Sequence, residues 1–127
     1  MHRALTTDVH EKREFSMIKI ILGFKRRQEM GFQEFKNYRR DVHAPLLFGI
    51  PEAKKIRRFV VNYSVQAPDF PEPTYDAVVE AWFDNLEDLN TLYSCENFVT
   101  RVDPDHVNFI DLSSVGRVIV EEVVLVE

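Results

Sequence analysis

An α+β fold, with two helices on one face of a four-stranded antiparallel sheet, is what this sequence predicts. Two observations lead there. Four short apolar runs have strand character, and two amphipathic stretches with helical spacing stand among them in the order strand, helix, strand, strand, helix, strand. A third concerns size: 127 residues, 45% hydrophobic and 29% charged, make one soluble globular domain rather than a disordered or collagen-like chain.

The elements follow in chain order. Met17 to Phe24 is short, apolar and rich in Ile, which reads as a buried strand. Lys25 to Met30 is a polar loop. Gly31 is an acceptable N-cap, and Glu34 stands three residues on. Phe32, Phe35, Tyr38, Val42 and Leu46 then recur at helical spacing. Pro45 disfavours helix at Ala44, so the regular helix should end near His43 or continue only with a kink. Gly49 and Pro51 mark a loop. Ile56 to Val65 is the second strand, with Phe59, Val61, Tyr63 and Val65 on one face. The proline-rich stretch 66–73 is a loop, and Tyr75 to Phe83 is the third strand. Asp84, with Glu87 three residues on, is expected to cap a helix carrying Leu86, Leu89, Leu92 and Tyr93. Val99 to Asp111 is ambiguous. Gly116 is expected to open a fourth strand, Arg117 to Val126.

This order is the split, ferredoxin-like βαββαβ arrangement. A sheet with both helices on one face leaves its other face to water, and should then alternate apolar with polar residues. Strands 1, 3 and 4 do not alternate cleanly: Met17 and Ile21, Val78 and Trp82, and Ile119, Val123 and Leu125 make their second faces apolar too. The simplest cover for that face is another copy of the same sheet, hence a two-fold homodimer.

Residues 1–16 are polar, charged and aperiodic, with no apolar core of a secretory signal, and read as a flexible N-terminal extension before a domain spanning 17–127. The single cysteine, Cys95, cannot pair within the chain, which fits a reducing compartment such as the cytoplasm. A net charge of −5 argues against nucleic acid or an anionic membrane as partner, and the basic clusters 25–27 and 54–58 are local. No apolar run approaches the roughly 18–20 residues that span a bilayer. No glycine-rich phosphate loop, nucleophile elbow or zinc-ligand spacing is present, so no metal or other cofactor is expected.

Tyr38-x4-His43-Ala44-Pro45 at the end of the first helix, Glu80-x-Trp82-Phe83-Asp84 in the third strand, and the segment Asn108 to Val124 resemble the EthD family of the dimeric α/β-barrel superfamily. The resemblance covers about residues 17–126. It implies two four-stranded sheets closed into a barrel with helices outside, and a pocket in each subunit between the sheet and its helices. The founding member is associated with a cytochrome P450 system that degrades ethyl tert-butyl ether. Related proteins include methylmuconolactone methylisomerase and polyketide cyclases or decarboxylases, and an oxidoreductase label is attached to the family as a whole. Ala81 and Phe59 stand where the isomerase has a cysteine and a tyrosine, which counts against its particular reaction.

His43 lies at the edge of the apolar helix stripe, about 20° from Phe32 by the 3.6-residue repeat, where a half-buried imidazole can reach a pocket and transfer protons. From position alone a cap on the last helical carbonyls is the favoured role. The resemblance favours the first role, since it aligns His43 with an active-site histidine. Glu80 is a carboxylate in an apolar strand, and so must be paired or protonated. It is either the group that orients His43 or half of an ion pair with Arg57, Arg58 or Arg117. Tyr38 and Tyr63 put hydroxyls on apolar faces, and with Trp82, Phe98 and Phe109 they are the candidate substrate-binding residues, each also readable as core. His106 reads as an exposed loop residue, Asp111 as a turn cap and Cys95 as an inert thiol.

The two main readings are a cofactor-independent enzyme moving a proton beside a carbonyl of a small aromatic or carbonyl compound, and a non-catalytic accessory protein binding a small apolar ligand. The first requires a carboxylate within hydrogen-bond reach of the His43 imidazole. Haem ligation by His43 or His106 is a third.

Overall fold

The computed structural model describes residues 17–127, and the expected N-terminal extension lies outside the described residues. Strand β1 (Ile18–Arg26) leads to a long helix α1 over residues 32–48, and β2 (Arg58–Tyr63) and β3 (Ala77–Phe83) follow. Helix α2 (Leu86–Ser94) precedes β4 (Ile110–Glu121). The strands lie in the order β2-β3-β1-β4, every neighbouring pair antiparallel, which confirms the ferredoxin-like α+β fold.

Alternation along the strands decides which side chains meet the helices. Ile20 pairs with Ala81, Leu22 with Val79 and Phe24 with Ala77, and these side chains face α1 and α2. Two adjoining clusters make the core: Ile20, Leu47, Phe83, Leu89, Leu92, Phe98 and Val102, and then Phe24, Phe35, Val79, Phe109 and Ile110. Residues of the other parity, Lys19, Ile21, Val60, Asn62, Val78, Glu80, Trp82, Val118 and Val120, lie on the opposite sheet face, which no helix covers among the described residues.

Helix α1 does not stop at His43. It runs as α-helix over Phe32–Tyr38, widens into a π-turn over Arg39–His43, and resumes as α-helix over Ala44–Phe48. Pro45 in a regular helix would strike the carbonyl four residues back; the wider turn, closed by the Ala44 N–H donating to the Arg39 carbonyl, lets the chain pass. At its start the Gly31 N–H donates to Glu34 at 3.4 Å, as the spacing foretells.

Strands β2 and β3 are shorter than the expected 56–65 and 75–83, and two further boundaries differ. Asn85, not Asp84, caps α2: its side-chain oxygen accepts from the Asp88 N–H at 2.8 Å, while Asp84 accepts from Arg57 at 2.7 Å. Strand β4 begins at Ile110 and ends at Glu121, rather than spanning 117–126. Its first residues pair with Lys25 and Arg26 across a bulge in register after Gly23, and the Ser114 hydroxyl accepts from the Lys25 N–H at 2.7 Å. At the other end, Glu121 lies opposite Ile18, where β1 begins, so the chain beyond it has no ladder to join among the described residues.

Candidate active site

On α1, Phe35, Arg39, His43 and Leu47 recur every fourth residue and all face inward. Between α2 and β4, a second π-turn (Phe98–Val102) and a 3₁₀ turn (Asp103–Asn108) bring Asp105 and His106 against that line. His43 is only 2% exposed, and its Nδ1 lies 3.0 Å from Asp105 Oδ2. The Tyr38 hydroxyl donates to Asp105 Oδ1 at 2.6 Å, and the Asn108 amide donates to the same oxygen at 2.9 Å. The His43 ring centre is 4.4 Å from that of His106 and 4.9 Å from that of Phe109. Tyr38 stacks on Phe109 at 5.1 Å.

Burial, joined by the neighbouring His106 and Arg39, pulls the His43 pKa down to about 4 against the opposing pull of Asp105. Burial alone would raise Asp105, but the donors Tyr38, Asn108 and His43 outweigh it and hold the carboxyl below its ordinary value. Burial and the Asp105 carboxylate raise Tyr38. At neutral pH the arrangement is therefore an ionised carboxylate beside a neutral imidazole. Because a carboxylate only accepts, the imidazole proton sits on Nδ1 and the lone pair on Nε2. A neutral, oriented imidazole can take a proton from a bound molecule.

Arg39, one turn before His43, is 6% exposed and still buries a full positive charge. Its guanidinium lies over the rings of Phe24 and Phe109, at 5.4 and 5.2 Å. Beside it, between α1 and β2, opens a largely apolar cleft of about 200 Å³ lined by residues of both elements, among them Arg39, Arg40, Leu47, Phe48, Phe59 and Tyr63.

The structure thus brings together His43, Tyr38 and Phe109, and places Tyr63 on the adjoining cleft. Phe98 is core, packed edge-on to Tyr93 at 5.0 Å, with its ring 6.4 Å from that of His106. Glu80 and Trp82 are elsewhere. Both project from the opposite sheet face, where Lys19 donates to Glu80 at 2.7 Å and to Glu122 at 3.1 Å, and the Trp82 indole N–H donates to Glu122 at 3.2 Å. Lys19, first of all, holds Glu80 below the usual carboxylate range. Glu80 accordingly does not orient His43. Asp105 does, and the Glu80 ion pair is with Lys19 rather than an arginine. His106, expected to be exposed, is partly buried, with its Nδ1 3.0 Å from Asp103 Oδ1. Arg39 and Asp105 are the residues that sequence reasoning missed, and His106, read as an exposed loop residue or a haem ligand, instead packs beside His43. Only Arg39 carried a signal, its four-residue spacing from Phe35 and His43.

A small α+β protein with its buried histidine and carboxylate under the helices is the class that fold and site define. The sequence profile of the EthD domain matches residues 27–113, and the chain belongs to the EthD family. It is 30% identical over 102 residues, 72% of each chain, to dehydratase ustZ of Ustilaginoidea virens. It is 28% identical over 99 residues, covering 69% of this chain and 70% of the other, to the conidial pigment biosynthesis dehydratase EthD of Metarhizium robertsii. Among solved structures, an EthD family protein from Bacillus halodurans superposes with a TM-score of 0.66 at 23% identity, over 84% of this chain and 99% of that one. A dimeric protein of ferredoxin-like fold from Bacteroides fragilis gives 0.58 at 20% identity, over 84% and 96%. Among the described residues no cluster of His, Cys, Asp and Glu is placed to hold a metal ion, and no helix is long and apolar enough to cross a membrane.

Proposed function

We propose that the protein is a cofactor-independent enzyme that moves a proton beside a carbonyl group of a small aromatic compound, and that dehydration is its net reaction. The observation that carries this is the buried His43–Asp105–Tyr38 constellation. Its distances of 3.0 and 2.6 Å meet the requirement of a carboxylate within reach of the imidazole. The two similar proteins named as dehydratases support the choice of reaction. In that reaction His43 Nε2 takes the proton on the carbon next to the carbonyl, and the C–H electron pair becomes an enolate. The enolate collapses to a C=C bond as the β-hydroxyl leaves, carrying away the proton now on His43 as water. Asp105 holds the ring and stabilises the transient imidazolium.

Proton transfer of this kind contributes about 10²–10⁴-fold. The first half of the reaction can be tested without the natural substrate. Tetralone incubated with the protein in D₂O should exchange its α-protons, followed by NMR, and His43→Ala should lower the catalysed exchange by a factor in that range. Unchanged exchange in that variant would remove His43 from the chemistry.

One observation favours a second reading, a small-ligand-binding protein without catalysis: the cleft lining ends at Arg39 and does not include His43. A ligand held there out of reach of the imidazole would bind unchanged, and the exchange assay would show no catalysis even in the wild type. Under either reading we infer a homodimer joined through the helix-free face of the sheet.

A further inference from the structure

Strand β4 ends at Glu121, and the chain goes on as Glu122-Val123-Val124-Leu125-Val126-Glu127. Val123 to Val126 are 62–89% exposed. In an extended chain Val123 and Leu125 point to one side, and Val124 and Val126 to the other. Aliphatic on both sides and rich in β-branched residues, this tail has the composition of a strand covered on both faces. At the far side of the sheet, β2 is an edge strand. The Ser64 N–H donates to the Asp76 carbonyl at 3.0 Å, so alternation turns the Asn62 N–H towards β3 and the Val61 and Tyr63 N–H groups outward. No strand takes them up among the described residues, and such an edge is a template for another extended chain. Beside it runs the apolar cleft, with Phe48 half exposed.

Charge fits the two together. Glutamates stand at both ends of the tail, whereas β2 follows Lys54, Lys55 and Arg57 and begins at Arg58. Asp88 holds Lys55 and Asp84 holds Arg57, but Lys54 and Arg58 have no carboxylate within salt-bridge reach among the described residues. Laid antiparallel to β2, the tail brings Glu127 to that basic cluster. The β2 of its own chain is not the partner. Strands β1 and β3 lie between β4 and β2, a span of about 14 Å, which is as far as four extended residues reach. Glu122 is tied to Lys19 and Trp82 on the helix-free face, so Val123 to Val126 would be spent on the crossing and could not lie along the edge.

We propose that the tail Val123–Val126 of one copy lies antiparallel along the free edge of β2 in a second copy, as a fifth strand of its sheet and an outer wall of its cleft. The proposal rests on the homodimer inferred above, and names the segment that each copy lends the other. One set of tail side chains meets Phe48 and Phe59 at the mouth of the cleft and leaves its interior open. The other set faces the apolar contact between the two sheets.

Amide hydrogen exchange of isotope-labelled protein tests this. In the full chain the Val61 and Tyr63 amides should exchange roughly tenfold or more slowly than in a chain ended after Glu122, while Asn62 stays protected in both. Excess unlabelled full chain, added to the labelled shortened chain, should restore the protection of Val61 and Tyr63, because only a second copy can then supply a tail. Should the shortened chain fail to fold, a wild-type dimer mixed from labelled and unlabelled copies takes its place. Isotope-filtered spectra should then show contacts from the tail methyl groups of one copy to Phe59 and Val61 of the other. Equal exchange at Val61 and Tyr63 in the two chains, protection that the added chain does not restore, or a mixed dimer without those contacts would each overturn the proposal. The second of these would assign the edge to the chain's own tail. Sedimentation separates the proposal from the reading it rests on: a dimer whose β2 edge exchanges freely refutes the tail contact alone, whereas a monomer refutes both.

Discussion

At His43 three surroundings oppose a positive charge and one favours it. Burial, His106 and Arg39 lower the pKa to about 4, and Asp105 opposes them. An unfolded histidine titrates near 6.5. Between these values the unfolded chain binds a proton that the folded one refuses. Stability is therefore complete above about pH 6.5 and falls as the pH drops towards 4. The full difference is worth about 3 kcal/mol, at 1.36 kcal/mol per pH unit. Asp105 and Glu80 have lowered pKa values, so their contributions are lost only in more acid solution. The interval from pH 6.5 to 4.5 thus reports chiefly on His43. Urea unfolding at both ends of that interval should show wild type losing about 2 kcal/mol more than His43→Gln. Equal losses would mean that the imidazole takes up its proton in the folded state.

Among the elements, a crossing on the helix-free face fixes how close the chain can come to the sheet. Gly23 and Gly116 are paired across β1 and β4, and the Tyr75 side chain packs over both, its ring against Gly23 and its hydroxyl against Gly116. A Cβ at Gly23 would sit 2.5 Å from the ring, and one at Gly116 2.5 Å from its hydroxyl. Gly23→Ala should therefore cost about 1–3 kcal/mol in thermal or urea unfolding. Tyr75→Ala in the same chain should recover much of that loss, a non-additivity that a simple strand-propensity effect would not show. Such a crossing is invisible in a sequence, because only the fold brings Tyr75 over Gly23. What was legible were elements whose periodicity is set by burial. β1 and β3 stand out as apolar runs, whereas the stripe expected on α1 holds only through its first turns: from the π-turn on, Val42 and Leu46 are exposed, and Arg39, His43 and Leu47 face inward instead. The start of β4 was not legible, because Asp111, Ser113 and Ser114 look like a turn and are strand only through pairing with β1. Asp105 and His106 follow Pro104 in a short polar stretch with no period, and only the packing of that stretch on α1 makes them part of a site. Glu80 is different. Its parity, opposite to Val79 and Ala81, already put it on the face away from the helices, where His43 could not be its partner.

For the molecule as a whole, the unresolved balance is on that same face. The Lys19–Glu80–Glu122 pairs and Trp82 hold its centre, while Ile21, Val60, Val78, Val118 and Val120 surround them, Val118 being 52% exposed. An antiparallel sheet that faces water permanently carries polar residues there. This face is apolar with its charges mutually satisfied, which is the composition of an interface core. Two-fold pairing would place each copy's valines against the other's and leave both clefts, on the helix side, free. Sedimentation velocity at micromolar concentration should then give twice the 14.9 kDa chain mass, about 30 kDa. Val118→Glu would put two buried carboxylates near the symmetry-related face and should shift the protein to monomer while leaving the fold of each subunit intact. A wild-type monomer would overturn the dimer, and a Val118→Glu protein that remains a dimer would place the contact on some other surface.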